Sequence, residues 1–308
     1  MLEAAVGRLD GLIPVERILI ITGQTFVART RELLRTIPPE NVLGEPRAAS
    51  TAPALTWATQ VAGTRDSAAS VLSLHADWYV GDDEGFRRTA TRALDVAESE
   101  DVLVTVGIVP TRPETGYGYI VPGEYIEGDA RHVDRFVEKP DAENATQLIA
   151  QGALWNSGLF AWTVRRFREE CVAHAPEIAP HLAALDAGNV DEFFENVTPI
   201  AIDHSHFERS DRVGVIPGQF RWDDVGTWAA LTRVRDLDDG GNVLVGSAIS
   251  RESRNCVIWA EDGPVVVDGL DGLVVVRANG VTLVTTRDRA SGLKALLGTL
   301  PPEIREPN

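Results

Sequence analysis

Apolar and polar positions follow one another in two different ways along this chain, and the change between them divides it. In the first hundred or so residues, short unbroken apolar runs are separated by longer stretches of helical period. Ile18-Leu19-Ile20-Ile21 is such a run, closed by Thr22-Gly23; Val71-Leu72-Ser73-Leu74 is a second and Val102-Leu103-Val104-Thr105-Val106 a third. Unbroken rather than alternating apolar character suits a strand covered on both faces. Between the last two runs, Phe86, Ala90, Ala93, Leu94 and Ala97 recur at helical spacing, which places one apolar stripe on a helix over residues 84–99. Another helix is predicted over about 25–35, ended by Pro38-Pro39. Strands alternating with helices in this way predict βαβ units, a parallel sheet and the α/β class.

Beyond Thr111 the pattern loosens. Strands are predicted near 117–121, 132–138, 154–162 and 212–216, and helices near 142–151, 164–174 and 226–234. Asp238-Asp239-Gly240-Gly241 then breaks the chain. After it come five short β-rich runs at 242–245, 256–259, 265–267, 273–276 and 281–286, and a closing helix over 290–300. Short strands at such close spacing predict a small β domain made of β-helix-like coils. The division is therefore residues 1–237 and 238–308. At the other end, Met1, Leu2, Val6, Leu9 and Leu12 keep near-helical spacing with no capping residue before them. Parallel nucleotide-binding folds open with a strand and a glycine-rich turn, so this chain is expected to open inside its first helix.

With 308 residues, 44% hydrophobic and 24% charged, the composition is that of a globular protein. A net charge of −17 argues against nucleic acid or an anionic membrane as partner, but not against a small phosphorylated molecule held by a local cluster of donors. Cys171 and Cys256 stand far apart and make no metal-binding spacing, as expected of a reducing cytosol. No apolar run approaches membrane-spanning length and the start is neither a signal nor a transit peptide. A cytoplasmic protein is expected, with a homodimer through the β-rich tail left open.

The most informative segment is Arg135-Phe136-Val137-Glu138-Lys139-Pro140, followed by Trp155-Asn156-Ser157-Gly158-Leu159-Phe160. Arginine serves almost everywhere in this chain, and its only lysines are Lys139 and Lys294. A lysine kept in such a sequence marks a place for a compact point charge, such as a single phosphate, against the plain alternative of a surface ion pair at a strand end. Asp77 follows the second apolar run, where ligands bind in open α/β sheets, and Asp223-Asp224 precedes a predicted helix. Two such carboxylates could share Mg²⁺ with a phosphate, or serve as a loop acid and a helix cap. Thr115-Gly116-Tyr117-Gly118-Tyr119-Ile120 combines glycines that permit close approach with rings that can face a sugar, or makes a simple strand entry. His204 and His206 alternate, which would put both on one side of a strand. No Ser/His/Asp elbow, HExxH or P-loop pattern occurs.

Taken in order, Glu45-Pro46 with Thr51-Ala52-Pro53-Ala54, Leu74-His75-Ala76-Asp77, Pro113 to Ile120, Phe136 to Pro140, Trp155 to Phe160 and Trp222-Asp223-Asp224-Val225-Gly226-Thr227-Trp228 resemble the mannose-1-phosphate guanylyltransferases. The resemblance implies a Rossmann-like nucleotidyltransferase domain with a mostly parallel sheet and a β-helical tail. It also implies that GTP and mannose 1-phosphate give GDP-mannose and pyrophosphate, with Mg²⁺. By position, Asp77 and Asp224 would hold the metal, and Lys139 would neutralise the sugar phosphate. Tyr117, Gly118, Glu138 and Asn156 would bind the sugar, and Thr51, Pro53 and Asp77 would line the nucleotide pocket. The family's opening strand and glycine-rich loop have no counterpart from Met1 onward. Ala49-Ser50 replaces its Arg-Asn, and His75 and Trp78 replace its Pro and His. All three differences concern the nucleotide. A true start upstream of Met1 predicts an ordinary guanylyltransferase; a true loss of the loop predicts a weak or inactive relative that binds sugar phosphate. A nucleotidyl transfer with another base or sugar is the third expectation.

Overall fold

The computed structural model describes residues 1–301 and 304, without the side chains of Ser291 and Lys294. The chain folds into two units, one of residues 1–76 and 82–222 and another of residues 77–81 and 223 onward. Strands in chain order are β1 (Ile20–Gly23), β2 (Val42–Glu45), β3 (Ser70–Ser73), β4 (Tyr79–Val80), β5 (Leu103–Ile108), β6 (Tyr119–Glu127) and β7 (Ala130–Val137). They continue with β8 (Leu154–Thr163), β9 (Val213–Pro217), β10 (Trp222–Asp223), β11 (Val243–Arg251), β12 (Val257–Asp268), β13 (Leu273–Ala278) and β14 (Val281–Thr286).

The first unit is built on a six-stranded sheet of order β3-β8-β5-β9-β7-β6, with β6 also pairing with β8; β1 and β2 form a separate parallel pair. The α/β class stands, but the expected predominance of parallel pairing gives way to a mixed sheet. β8 runs antiparallel between β3 and β5, β7 is antiparallel to β9, and only β5–β9 is parallel within this sheet. Strands β3, β5 and β9 share a direction, as βαβ units require, but β8 separates the first two. The predicted β5 run is buried at every position. The predicted 84–99 helix runs Asp83–Ser99: Asp82 caps it by accepting from Gly85 N at 3.0 Å, and Phe86, Ala90, Ala93, Val96 and Ala97 form its buried face. A helix the period does not reveal, Thr51–Arg65, buries seven side chains spread over several faces, so it carries no single apolar stripe to detect.

In the second unit β11, β12 and β13 stack in parallel with Val243, Val257 and Val274 in register, and β14 returns antiparallel. Four strands replace the expected five, because the runs at 256–259 and 265–267 belong to one strand, β12. Buried Asn242 holds the entry to the coil: its Nδ2 donates to Asp238, Ser250 Oγ and Ser253 O, and its Oδ1 accepts from Cys256 N at 2.8 Å. The closing helix is shorter than predicted, Leu293–Thr299 after a tight turn at Ala290–Gly292. No helix among the described residues is long and apolar enough to cross a membrane.

Candidate active site

Asn156-Ser157-Gly158 interrupts an apolar strand, and the sheet shows what the interruption does. Thr105 of β5 pairs with Phe160, yet Gly107 pairs with Asn156, so two steps on β5 match four on β8. The surplus forms a bulge in which Gly158 takes φ +75°, a conformation glycine adopts freely. Ser157 Oγ donates to Val106 O at 2.6 Å and accepts from Leu159 N at 3.1 Å, satisfying groups the broken ladder would strand. The Asn156 amide is held at both ends. Its Oδ1 accepts from Thr105 Oγ1 and Gly158 N, each at 3.2 Å, and its Nδ2 donates to Asp203 Oδ1 at 2.6 Å.

Gly118 lies beside this amide. Tyr119 pairs with Val137 on one side and Trp155 on the other, so Gly118 falls between Glu138 and Asn156, and Asn156 N donates to Gly118 O at 2.8 Å. A Cβ on Gly118 would come within 2.8 Å of Glu138 Oε2 and 3.6 Å of Asn156 Cβ. The atom in the way is the far end of the Glu138 side chain, so a methyl group at 118 would push that carboxylate aside.

Lys139 takes φ +44° immediately before Pro140. Residues before proline prefer extended backbone, and a left-handed non-glycine residue costs about 1–3 kcal/mol. The side chain does not recover that cost by burial: it is 63% exposed, with Nζ 2.5 Å from Glu138 Oε1. An exposed pair contributes little stability, so the strain points to a use other than folding. Tyr117 is placed differently from Gly118, Glu138, Lys139 and Asn156. Its ring is buried, edge-on to Trp155 at 5.2 Å and to Trp222 at 5.4 Å, with the Arg112 guanidinium 4.9 Å from the Trp155 ring. It supports the wall formed by β6 and β8.

Thr51 and Pro53 open the helix Thr51–Arg65. The Thr51 hydroxyl accepts from Ile202 N at 2.9 Å, Ala52 N donates to Ile200 O at 3.1 Å, and Pro53 is buried. Ser50, just before the helix, takes φ +67°. This end of the helix is tied to the chain that leads into Asp203.

β4 pairs with β10, and Asp77, β4, Asp223 and Asp224 belong to the second unit. Exposed Asp77 precedes β4, and half-buried Asp224 follows β10. The neighbouring carboxylates Asp223 and Asp224 differ sharply. Asp223 is buried and accepts from Arg233 Nε at 2.5 Å and Nη2 at 2.8 Å, and from Val225 N at 3.0 Å. Asp224 Oδ1 accepts from Gly226 N at 3.3 Å across Val225, a β-branched residue at φ +49°. Among the described residues no three or more His, Cys, Asp or Glu side chains gather as a metal cage; a site of two carboxylates that leaves further positions to phosphate oxygens is the mode Mg²⁺ favours.

Comparison with known proteins now decides the family. A nucleotidyl transferase family model matches residues 6–239, and a MannoseP isomerase/GMP-like β-helix model matches 246–300. The mannose-1-phosphate guanylyltransferase of Escherichia coli K12 is 34% identical over 99% of this chain and 67% of its own length. This chain belongs to the mannose-1-phosphate guanylyltransferase family. A putative member from Vibrio cholerae is 33% identical over 99% of the chain and 68% of its own length. A crystal structure from Thermus thermophilus, described as a mannose-1-phosphate geranyltransferase, superposes with a TM-score of 0.90 at 36% identity, covering 96% of this chain and 88% of that one.

Sequence reasoning missed Asp203 and misplaced its neighbours. His204 and His206 lie not on a strand but in a π-helical turn, Asp203–Phe207, in which Glu208 N donates to Asp203 O at 2.8 Å. Residues two apart in a helix project to nearly opposite sides. His204 is exposed with Nδ1 2.9 Å from Glu208 Oε2, whereas His206 is buried and stacked on Phe167 at 4.6 Å. Glu208 chiefly, with Glu138 and Asp203, raises the pKa of His204. Burial raises that of Asp203, and Glu138 adds to the rise, while the Asn156 bond opposes it.

His206 is pushed the other way, down to about 3, chiefly by burial. Below the unfolded-state pKa near 6.5, the unfolded chain therefore binds a proton that the folded chain refuses. This group's stabilisation is present above about pH 6.5 and is lost as pH falls toward 3, at up to about 1.4 kcal/mol per pH unit. His206→Phe, which keeps the stacking surface, is expected to retain about 2 kcal/mol more of its neutral-pH stability at pH 5 than the parent does. Urea unfolding of both proteins at pH 7 and pH 5 measures this; parallel losses would contradict it.

Proposed function

We propose that this protein transfers GMP from GTP to α-D-mannose 1-phosphate. A phosphate oxygen of the sugar attacks the α-phosphorus of GTP, the bond to the β-phosphate oxygen breaks, and GDP-mannose and pyrophosphate are formed. The observation that carries the reading is Lys139: an exposed ammonium held at φ +44° beside Glu138, next to the Gly118 opening and the Asn156 amide. In this assignment Lys139 neutralises the sugar phosphate, Glu138 accepts from sugar hydroxyls, Asn156 donates to one, and Gly118 supplies backbone where no side chain fits. Tyr117 acts through the aromatic wall, and Thr51 and Pro53 shape the nucleotide side. Asp77 and Asp224 would hold Mg²⁺, whose charge, when bound, offsets that developing on the reacting phosphates. Asp223 is held by Arg233 through both its oxygens, which suits it to shaping the loop. Positioning and charge neutralisation supply the rate in such a displacement, without a covalent intermediate.

The test supplies GTP, mannose 1-phosphate and Mg²⁺ and measures GDP-mannose and pyrophosphate, with ATP, UTP and glucose 1-phosphate as competitors. Equimolar GDP-mannose and pyrophosphate, with GTP and mannose 1-phosphate preferred, are expected. Preference for another base or sugar would overturn the substrate assignment, and no turnover would overturn the activity. Gly118→Ala should raise KM for mannose 1-phosphate by about tenfold, because its Cβ pushes aside the Glu138 carboxylate assigned to the sugar, and one displaced hydrogen bond is worth about that factor. KM for GTP should change far less; an unchanged sugar KM would remove Gly118 from the site.

A further inference from the structure

Asp203 stands outside every motif described above, yet it contacts the side chain assigned to the sugar. We propose that Asp203 is a positioning residue for hexose phosphate recognition: its carboxylate fixes the Asn156 amide with the nitrogen turned toward Asp203, so that the second amide hydrogen is presented to a sugar hydroxyl. This rests on the sugar-side reading above and deepens it. An asparagine amide has two N–H donors and one carbonyl acceptor, and nothing intrinsic chooses between its two flipped orientations. Here the choice is made by three contacts. Thr105 Oγ1 and Gly158 N both reach Oδ1, and Asp203 Oδ1 accepts from Nδ2 at 2.6 Å. Of these, Gly158 N can only donate and a carboxylate oxygen can only accept, so together they fix the orientation. With the carbonyl satisfied by two donors and one amide hydrogen spent on Asp203, Asn156 meets a ligand chiefly as a donor. Glu138, on the far side of Gly118, meets it as an acceptor. A donor and an acceptor flanking one glycine form an edge suited to neighbouring hydroxyls of a hexose.

Asp203 is itself firmly placed. Ile202 N donates to Thr51 Oγ1 at 2.9 Å, and the π-helical turn closes through Glu208 N to Asp203 O at 2.8 Å. Three residues on, His206 anchors the turn in the core against Phe167. π-Helical turns of this kind are frequent at functional sites. Holding a carboxylate in a place that raises its pKa, near Glu138, disfavours its charged form, and the short bond to Asn156 is what opposes that cost.

The experiment measures mannose 1-phosphate binding directly by calorimetry, alongside steady-state kinetics, for three proteins: Asp203→Asn, Asn156→Asp and the double exchange. Asp203→Asn, nearly isosteric, should weaken mannose 1-phosphate binding about tenfold or more, leave KM for GTP within about twofold, and leave the thermal midpoint nearly unchanged, since one oriented hydrogen bond is worth about a factor of ten. Asn156→Asp should weaken sugar binding at least as much and lower the midpoint, because it sets a second carboxylate against Asp203. The double exchange decides between positioning and simple support. It restores a donor–acceptor pair with the direction reversed, the amide introduced on the turn now donating to the carboxylate introduced on β8, but it turns an acceptor toward the sugar. Sugar binding should stay weak although the midpoint recovers. Recovery of sugar binding along with stability would reduce Asp203 to support, and an unchanged affinity in Asp203→Asn would overturn the proposal outright. Calorimetry keeps this test separate from the guanylyl-transfer reading: a parent that binds mannose 1-phosphate but makes no GDP-mannose refutes only that reading. A parent that binds no mannose 1-phosphate refutes both.

Discussion

Replacing Lys139 with alanine is expected to lower kcat/KM for mannose 1-phosphate by roughly 10²–10³-fold, the usual cost of removing one charged or donor group from a site where negative charge is stabilised. KM for GTP should change by no more than about threefold, because the ammonium serves the other substrate. Equal losses toward both substrates would refute the assigned role. A second substitution separates function from folding. Lys139→Gly removes the same ammonium but relieves the φ +44° backbone, and should raise stability by about 1 kcal/mol. The expected result is an enzyme as impaired as Lys139→Ala that unfolds a few degrees later, since 1 kcal/mol shifts a midpoint by about 2–4 °C in a chain of this size. If glycine destabilises instead, Lys139 is not strained in the way its dihedral implies. Lys139→Arg should recover only part of the activity, because a planar fork replaces a point charge whose position is set by Glu138.

The neighbours Asp223 and Asp224 should give different phenotypes. Asp224→Asn is expected to cost about 10²-fold or more in kcat, because this half-buried carboxylate is proposed to serve the metal. Asp77→Asn should behave alike. Asp223→Asn breaks a bidentate pair in which Asp223 is 6% exposed and Arg233 34%. Losing a buried charged hydrogen bond of this kind costs roughly 1.5–3 kcal/mol, so the midpoint should fall by several degrees. Thermal melts and kinetics on the same preparations check both. If Asp223→Asn were the catalytically silent but also thermally neutral variant, the Arg233 pair would not be the element that shapes this loop. If Asp224→Asn melted early with normal kcat, the two assignments would have to be exchanged.

Much of this site is written locally. Lys139 before Pro140 announces itself by residue type, in a chain that otherwise uses arginine, and Asn156 announces itself as an amide at the start of an apolar run. Both signals need only neighbours in sequence, so they survive translation into structure with little change. Spacing does not show the bulge at Asn156-Ser157-Gly158, nor that its serine closes the ladder groups the extra residues open. The helix Thr51–Arg65 was not legible for the opposite reason, since burial over several of its faces erases the period by which helices are found. His204 and His206 misled because alternation of two residues is consistent with a strand, and a π-helical turn has no sequence period of its own. Asp203 escaped because its meaning lies in a contact with Asn156, 47 residues away.

The α/β class, the β-rich tail, the glycine at 118 and the placement of Glu138 and Lys139 at a strand end all follow from residue size, charge and period. These are properties of a segment, and a segment carries them wherever it packs. Which strands become partners is another matter. That β8 enters between β3 and β5, that 256–259 and 265–267 join as one strand, and that Asp203 bonds the Asn156 amide depend on groups distant in sequence. Period and composition show which face of an element will be buried, but the partner that buries it is chosen only when the whole chain competes for the same hydrogen bonds and the same space.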